Sequence, residues 1–271
     1  RWLLSPERSP NGDRASEMKL RLVDPGTGRV LLERDHTPDT RLAMVGDTGV
    51  AAMRSDGQLT YWNALDATEH NYTGDVEGKF SIISAQVFGD LALILPYAGS
   101  MELERITVNP STRNDASVAA CAGRLFAISI KDGKPAWSRS QRVKHFLFPL
   151  SQSRESPMAV FVRRLSLTKV RGQNLDFTSV AFIDVKTGRL LYQKHDLPSL
   201  RGDTFRQRLA PRENAVIVKY LGNTLTARWS DDASGVPPAD QVDEIGDLDP
   251  DTYRSDIEKK LDEAAARSDV K

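Results

Sequence analysis

Short apolar runs separated by polar breaks recur along most of the chain, with the alternation of one-face-buried β-strands. The clearest run is AFIDVKTGRLLYQ. Val180, Phe182 and Asp184 alternate with Ala181 and Ile183, and Leu190, Leu191 and Tyr192 follow a Lys-Thr-Gly break. Gly188 supplies the positive φ of a tight turn, and Asp184 is placed to accept hydrogen bonds from the turn's N–H groups. The phrase returns as LRLVDPGTGRVLLER, with Asp24, Thr27 and Gly28, and as LFAISIKDGKPAWSR, with Asp132 and Gly133. Four positions after each turn glycine stands a large apolar residue: Leu32, Trp137 and Tyr192. Equal offset predicts one sheet face and equivalent packing in each copy.

Upstream of each phrase lies another strand pair. The pairs are 41–45 with 50–53, 82–87 with 91–95, 146–150 with 159–163, and 205–209 with 215–219. With strands named A to D in order, these are A–B pairs and the quoted phrases are C–D pairs. Asp56-Gly57 and Gly89-Asp90 are strong hairpin turn signals. Four antiparallel strands per ~40 residues, repeated, is the pattern of a β-propeller blade. The prediction is therefore an all-β chain: a β-propeller of four-stranded antiparallel blades, about four to five of them, over residues 1–230, then an acidic linker and short helix over 231–271. The polar stretches 6–17, 98–123 and 166–178 read as loop insertions between strands B and C. The first unit opens in mid-blade without strand A. The last ends at strand C, TLTARWS, and strand D of the second unit is poorly defined in LDATEHNYTGD. A partial blade, three fuller ones and an unfinished last one suggest the C-terminal part of a larger propeller.

LFAISIKDGKPAW and AFIDVKTGRLLY resemble the PQQ-like (quinoprotein-type) β-propeller repeat, close to Leu-x-Ala-Leu-Asp-x-x-Thr-Gly-x-x-x-Trp. Asp24, Thr27, Gly28, Asp184, Thr187, Gly188 and Trp137 stand at motif positions, while Leu32 and Tyr192 replace the aromatic Trp. The resemblance covers residues 1–231. It implies blade packing rather than chemistry, since many members are assembly scaffolds or interaction domains without a quinone. It also implies an extracytoplasmic bacterial protein, because the best-known relatives are exported. The alternative it carries is a quinone- or metal-dependent oxidoreductase, whose relatives use a carboxylate base, a calcium site and often an adjacent Cys pair. Cys121 is the single cysteine, so that pair is absent.

Charge and composition narrow the partners. Lys plus Arg is 37 and Asp plus Glu is 37 among 271 residues, so no global field favours nucleic acid. No apolar run has the length of a membrane-spanning helix. The chain begins at Arg1, which suggests a processed or partial chain. Asp24 and Asp184 are expected as turn formers. His36 and His195 both follow a D strand and are expected at separate surface linkers; His145 is the histidine nearest an inner strand. Cys121 is expected as a buried small residue. No nucleophile motif, phosphate loop or metal spacing appears, and Asn71 of NYT matches a glycosylation acceptor only by a three-residue pattern. A carbohydrate-active propeller, which would need carboxylates on the channel face, is a third possibility; Asp90 and Asp203 lie near strands A. The expectation is a non-enzyme without cofactor or metal.

After Ser230 the chain turns acidic, with Gly235, Pro237 and Pro238, and then offers a helix capped by Asp249 and Pro250, with Tyr253, Ile257, Leu261 and Ala264 as its apolar stripe. Connections alternate between the two ends of an antiparallel blade. B–C loops and D-to-A crossovers therefore share one face, and A–B and C–D turns share the other. The three insertions fall on the first face. They carry Arg8, Arg14, Glu102, Glu104, Arg105, Arg113, Lys169 and Arg171, a mixed-charge set suited to a protein partner or to another domain of the parent chain.

Overall fold

The computed structural model describes residues 3–8, 18–47, 49–64, 66, 68–73, 81–97, 118–138, 140–170, 173–198, 205–229, 244–245, 255 and 258–259. Nearly every element is a strand, and neighbours in sequence pair antiparallel. The first sheet holds β1 (Leu3–Arg8), β2 (Met18–Val23) and β3 (Val30–His36). The second holds β4 (Arg41–Val45), β5 (Gly49–Met53), β6 (Gln58–Asn63) and β7 (Thr68–Thr73). A long sheet then runs through β8 (Ile82–Phe88), β9 (Leu91–Tyr97), β10 (Val118–Ser129), β11 (Gln141–Pro149), β12 (Met158–Val170), β13 (Gln173–Asp184) and β14 (Leu190–Pro198). The last sheet is β15 (Arg206–Ala210), β16 (Ala215–Tyr220) and β17 (Asn223–Arg228). These are propeller-type blades in the order B–C–D, A–B–C–D, A–B–C–D, A–B–C–D and A–B–C.

Alternation along the B strands explains why the units stack. Val50 and Ala52 of β5 join Leu20, Leu22 and Leu32 of the first sheet, while Ala51 and Met53 join Ala92 and Ile94 of β9. Leu93 and Leu95 of β9 turn the other way, toward Ala159, Phe161, Ala181 and Ile183. Val160 and Val162 of β12 then meet Val216 and Val218 of β16. The B strands β5, β9 and β12 are thus buried on both faces over their described positions, which is why they read as continuous apolar runs. Each fully buried Leu, Ile or Val of this kind contributes about 1.5–3 kcal/mol. The outward face of the first sheet is polar instead: Glu33 accepts from Lys19 Nζ at 2.9 Å and from Arg21 Nε at 2.7 Å.

Several expectations are corrected. The insertion at 166–178 is not a loop. It is the far half of a β-ribbon in which β12 and β13 stay paired from Met158↔Asp184 out to Val170↔Gln173. Its Ser, Thr and Asn content masked an alternation that sets Leu165 opposite Phe177 and Leu167 opposite Leu175. Residues 6–8 and 118–123 likewise belong to β1 and β10. Strand D of the second unit is well formed, since β7 pairs with β6 from Asn63↔Thr68 to Gln58↔Thr73. The third and fourth units share β11, whose first part is strand D of one and whose second part is strand A of the next. It pairs with β10 from Gln141 to Pro149 and touches β12 at Leu147↔Val162.

Within the acidic segment, β18 (Glu244–Ile245) adds in parallel to β11 at Arg142 and Val143. The rest of that segment and the apolar stripe of the expected C-terminal helix lie outside the described residues.

Candidate interaction face

The two ends of the blades are built differently. At the turn end, the C–D hairpins are short and rigid. Asp184 Oδ1 accepts from Lys186 N–H at 2.7 Å and Thr187 N–H at 3.2 Å. Asp24 accepts from Gly26 N–H and from the Thr27 hydroxyl, each at 2.8 Å, and those bonds hold its carboxyl below the usual range. Gly28, Gly133 and Gly188 have φ of +68°, +65° and +73°, the left-handed region the sequence assigned to them. Both aspartates are turn formers.

The same end shows how one blade grips the next. Trp137 is buried, its Nε1–H donates to Val185 O at 2.8 Å, and its indole covers Gly188 of the following unit. His70 of β7 covers Gly133 in the same way. An aromatic ring on a turn glycine works only because glycine has no side chain to hold it off. Leu32 is also buried. Tyr192 departs from its equivalents: it is 43% exposed, with its ring edge-on to Phe182 at 6.0 Å. Among the described residues the last sheet has no fourth strand and no C–D turn lies under Tyr192.

At the opposite end stand the B–C connections. β12 and β13 project there as a ribbon, and the connections between β1 and β2 and between β9 and β10 leave from the same end. Of the residues singled out in the sequence, Arg8 lies at the end of β1 and Lys169 near the tip of β12. Arg14, Glu102, Glu104, Arg105, Arg113 and Arg171 lie outside the described residues, as does Asp203. By contrast, the B–C connections of the second and fifth units are tight turns, at 54–57 and 221–222. By sequence length, the long B–C connections therefore belong to the first, third and fourth units.

The remaining candidates are placed across the blades. Cys121 is fully buried in β10, and burial pushes its thiol well above the usual range. It is a core residue with no thiolate at neutral pH. His36 is buried rather than at the surface, with Nδ1 at 3.1 Å from Thr37 O. His195 is half-buried, with Nδ1 at 3.2 Å from Ser179 Oγ. His145 lies in β11. Asp39, which no sequence signal marks, ties a crossover to a turn: its carboxylate accepts from the hydroxyls of Ser55 and Thr37, which lower its pKa to about 2. Among the described residues, no group of His, Cys, Asp and Glu has the geometry to hold a metal ion. None of their helices is long and apolar enough to cross a membrane.

No family model matches the chain, and no curated protein matches it. Among solved structures, it is similar to the computationally designed Ika4 protein, at 12% identity and TM-score 0.30 over 70% of this chain and 91% of that one. It is similar to the tricorn protease at 13% identity and TM-score 0.36, over 80% of this chain and 19% of that one. The C-terminal WD40 domain of Sif2 overlaps at 13% identity and TM-score 0.30, over 79% of this chain and 63% of that one. Overlaps this loose carry no information about chemistry.

Proposed function

We propose that the chain is a propeller scaffold that binds a protein partner, or another domain of its parent chain, through the end carrying the B–C connections. The observation that carries this reading is the asymmetry between the two ends. One is closed by tight Asx turns locked under Trp137 and His70. The other presents the β12–β13 ribbon, which continues beyond Arg163↔Ser179 as far as Val170↔Gln173. Rigid sheets with elaborated connections at one end are the usual platform for recognition. The mixed charges of Arg8, Arg14, Glu102, Glu104, Arg105, Arg113, Lys169 and Arg171 suit a protein surface and give no uniform field for nucleic acid. The PQQ-like repeat resemblance, a non-catalytic role and an extracytoplasmic location belong to the same proposal.

Site-specific photo-cross-linking in the native host tests it. Probes at Arg8 and Lys169 are expected to capture one common partner, and probes at Lys131 and Lys186 on the turn end are expected to capture none. Capture confined to the turn-end probes overturns the reading. Stoichiometric quinone and calcium in the protein purified from that host would overturn the non-catalytic part.

A further inference from the structure

We propose that Arg163, Ser179 and His195 form a binding site for a small oxyanion between the third and fourth units, at the base of the β12–β13 ribbon. The residues form one row across neighbouring strands. Arg163 of β12 lies opposite Ser179 of β13, and the Ser179 hydroxyl lies 3.2 Å from Nδ1 of His195 on β14. The pairing of Leu147 with Val162 sets Phe146 beside Arg163 on the other side, and Phe146 is in turn opposite Cys121. The row faces inward. Arg163 follows Ala159 and Phe161 at two-residue steps, and Ser179 precedes Ala181 and Ile183 in the same way; all four apolar residues belong to the cluster between these units.

Arg163 is out of place in such a row. It is only 5% exposed. Its Nε has no hydrogen-bond partner, and among the described residues no carboxylate pairs with the guanidinium. Burial alone lowers its pKa, but an arginine keeps its proton in proteins. Among the described residues the fold therefore holds a desolvated cation with no counter-charge, an arrangement that is unfavourable unless an anion completes it.

The surroundings supply what an oxyanion needs. A guanidinium presents a planar fork of N–H donors that suits a carboxylate, phosphate or sulfate alike. Ser179 is 2% exposed and therefore held in place. His195 Nδ1–H donates to the Ser179 oxygen, and the serine proton makes only a long 3.4 Å bond to His195 O, which it exchanges for a shorter one to the anion. The proposed site uses none of the charged loop residues, so it stands whether or not the loop end binds a protein.

The test is thermal unfolding of the purified full chain in phosphate, sulfate or acetate, against chloride at fixed ionic strength. The wild type is expected to gain several degrees in Tm in a saturating, anion-dependent manner, by the mass action of a ligand that binds only the folded state. Acetate as the better ligand indicates a carboxylate, and phosphate or sulfate a tetrahedral anion; either supports the site. Arg163→Met is expected to keep or raise the Tm in chloride, because it removes a buried charge, and to lose the anion-dependent gain. Ser179→Ala is expected to raise the anion concentration for half the gain about tenfold, the worth of one hydrogen bond to a charged group. Should Arg163→Met fail to fold, the side-chain N–H resonance of Arg163 in the wild type is followed during the same titrations. No anion-specific gain in the wild type, an Arg163→Met curve that matches the wild type, or an Arg163 resonance unmoved by all three anions overturns the proposal.

Discussion

Replacing Gly188 with alanine tests the grip between blades, because the structure assigns its cost to two separable causes. The backbone at Gly188 has φ +73°, and an L-residue there costs about 1–2 kcal/mol. The added methyl would also lie 2.5 Å from Trp137 Cδ2 and 2.6 Å from Cε3, so the indole must move. Moving it breaks the 2.8 Å hydrogen bond to Val185 O and opens part of the packing around a buried ring. The hydrogen bond is worth about 1 kcal/mol, and full truncation in Trp137→Ala about 3–5 kcal/mol. Gly188→Ala is thus expected to cost about 3–4 kcal/mol in the wild type, but only the backbone cost of about 1–2 kcal/mol once Trp137 is already alanine. Gly28 is the control: it shares a φ of +68° but a methyl there meets nothing within 4 Å, so Gly28→Ala carries the backbone cost alone. Urea unfolding of the four variants of the cycle, with Gly28→Ala alongside, gives the coupling. If the costs of Gly188→Ala and Trp137→Ala add to within about 0.5 kcal/mol, the ring does not sit on the glycine and the account of blade packing fails.

Tyr192→Ser is expected to cost no more than about 1 kcal/mol in the same assay, far less than Trp137→Ala, because Tyr192 is 43% exposed and makes one edge contact. Asp39 has a folded pKa of about 2, below its ordinary 3.8, so its contribution is complete above pH ~4 and disappears as pH falls from ~4 to ~2. For so exposed a group it is under ~1 kcal/mol. Asp39→Asn should flatten the stability profile in that window, and an unchanged profile would remove the group's role. Deleting residues 231–271 should leave a folded β protein, since among the described residues the four apolar clusters are built from residues 20–229. It should also speed hydrogen exchange at residues 141–144, where Glu244–Ile245 now pair with β11; exchange unchanged there would show that pairing to be absent in solution.

The regular parts of the blades were legible because two local signals agree with the tertiary fold. Alternation marks the strands, and the Asp and Gly of each C–D turn mark their ends. The expected pairs 41–45 with 50–53 and 82–87 with 91–95 became Arg41–Val45 with Gly49–Met53 and Ile82–Phe88 with Leu91–Tyr97. Composition misled where polar residues occupy a strand that leaves the core. Ser166, Thr168 and Asn174 belong to a ribbon whose Leu165, Leu167, Leu175 and Phe177 carry the period. The role of His70 was invisible because its turn partner, Gly133, belongs to the next unit and only the packing joins them. Tyr192 is 43% exposed and Arg163 5% exposed for reasons of packing between units. Neither is encoded in the residues beside it.

The most direct test of the scaffold reading is the hydrogen-exchange footprint of the partner captured by the Lys169 probe, measured on the unmodified complex. Protection is expected at the ends of β1 and β10 and along the β12–β13 ribbon, 163–179, with the C–D turns at Gly28, Gly133 and Gly188 exchanging as in the free chain. Protection concentrated at those three turns, with the ribbon unchanged, would contradict it.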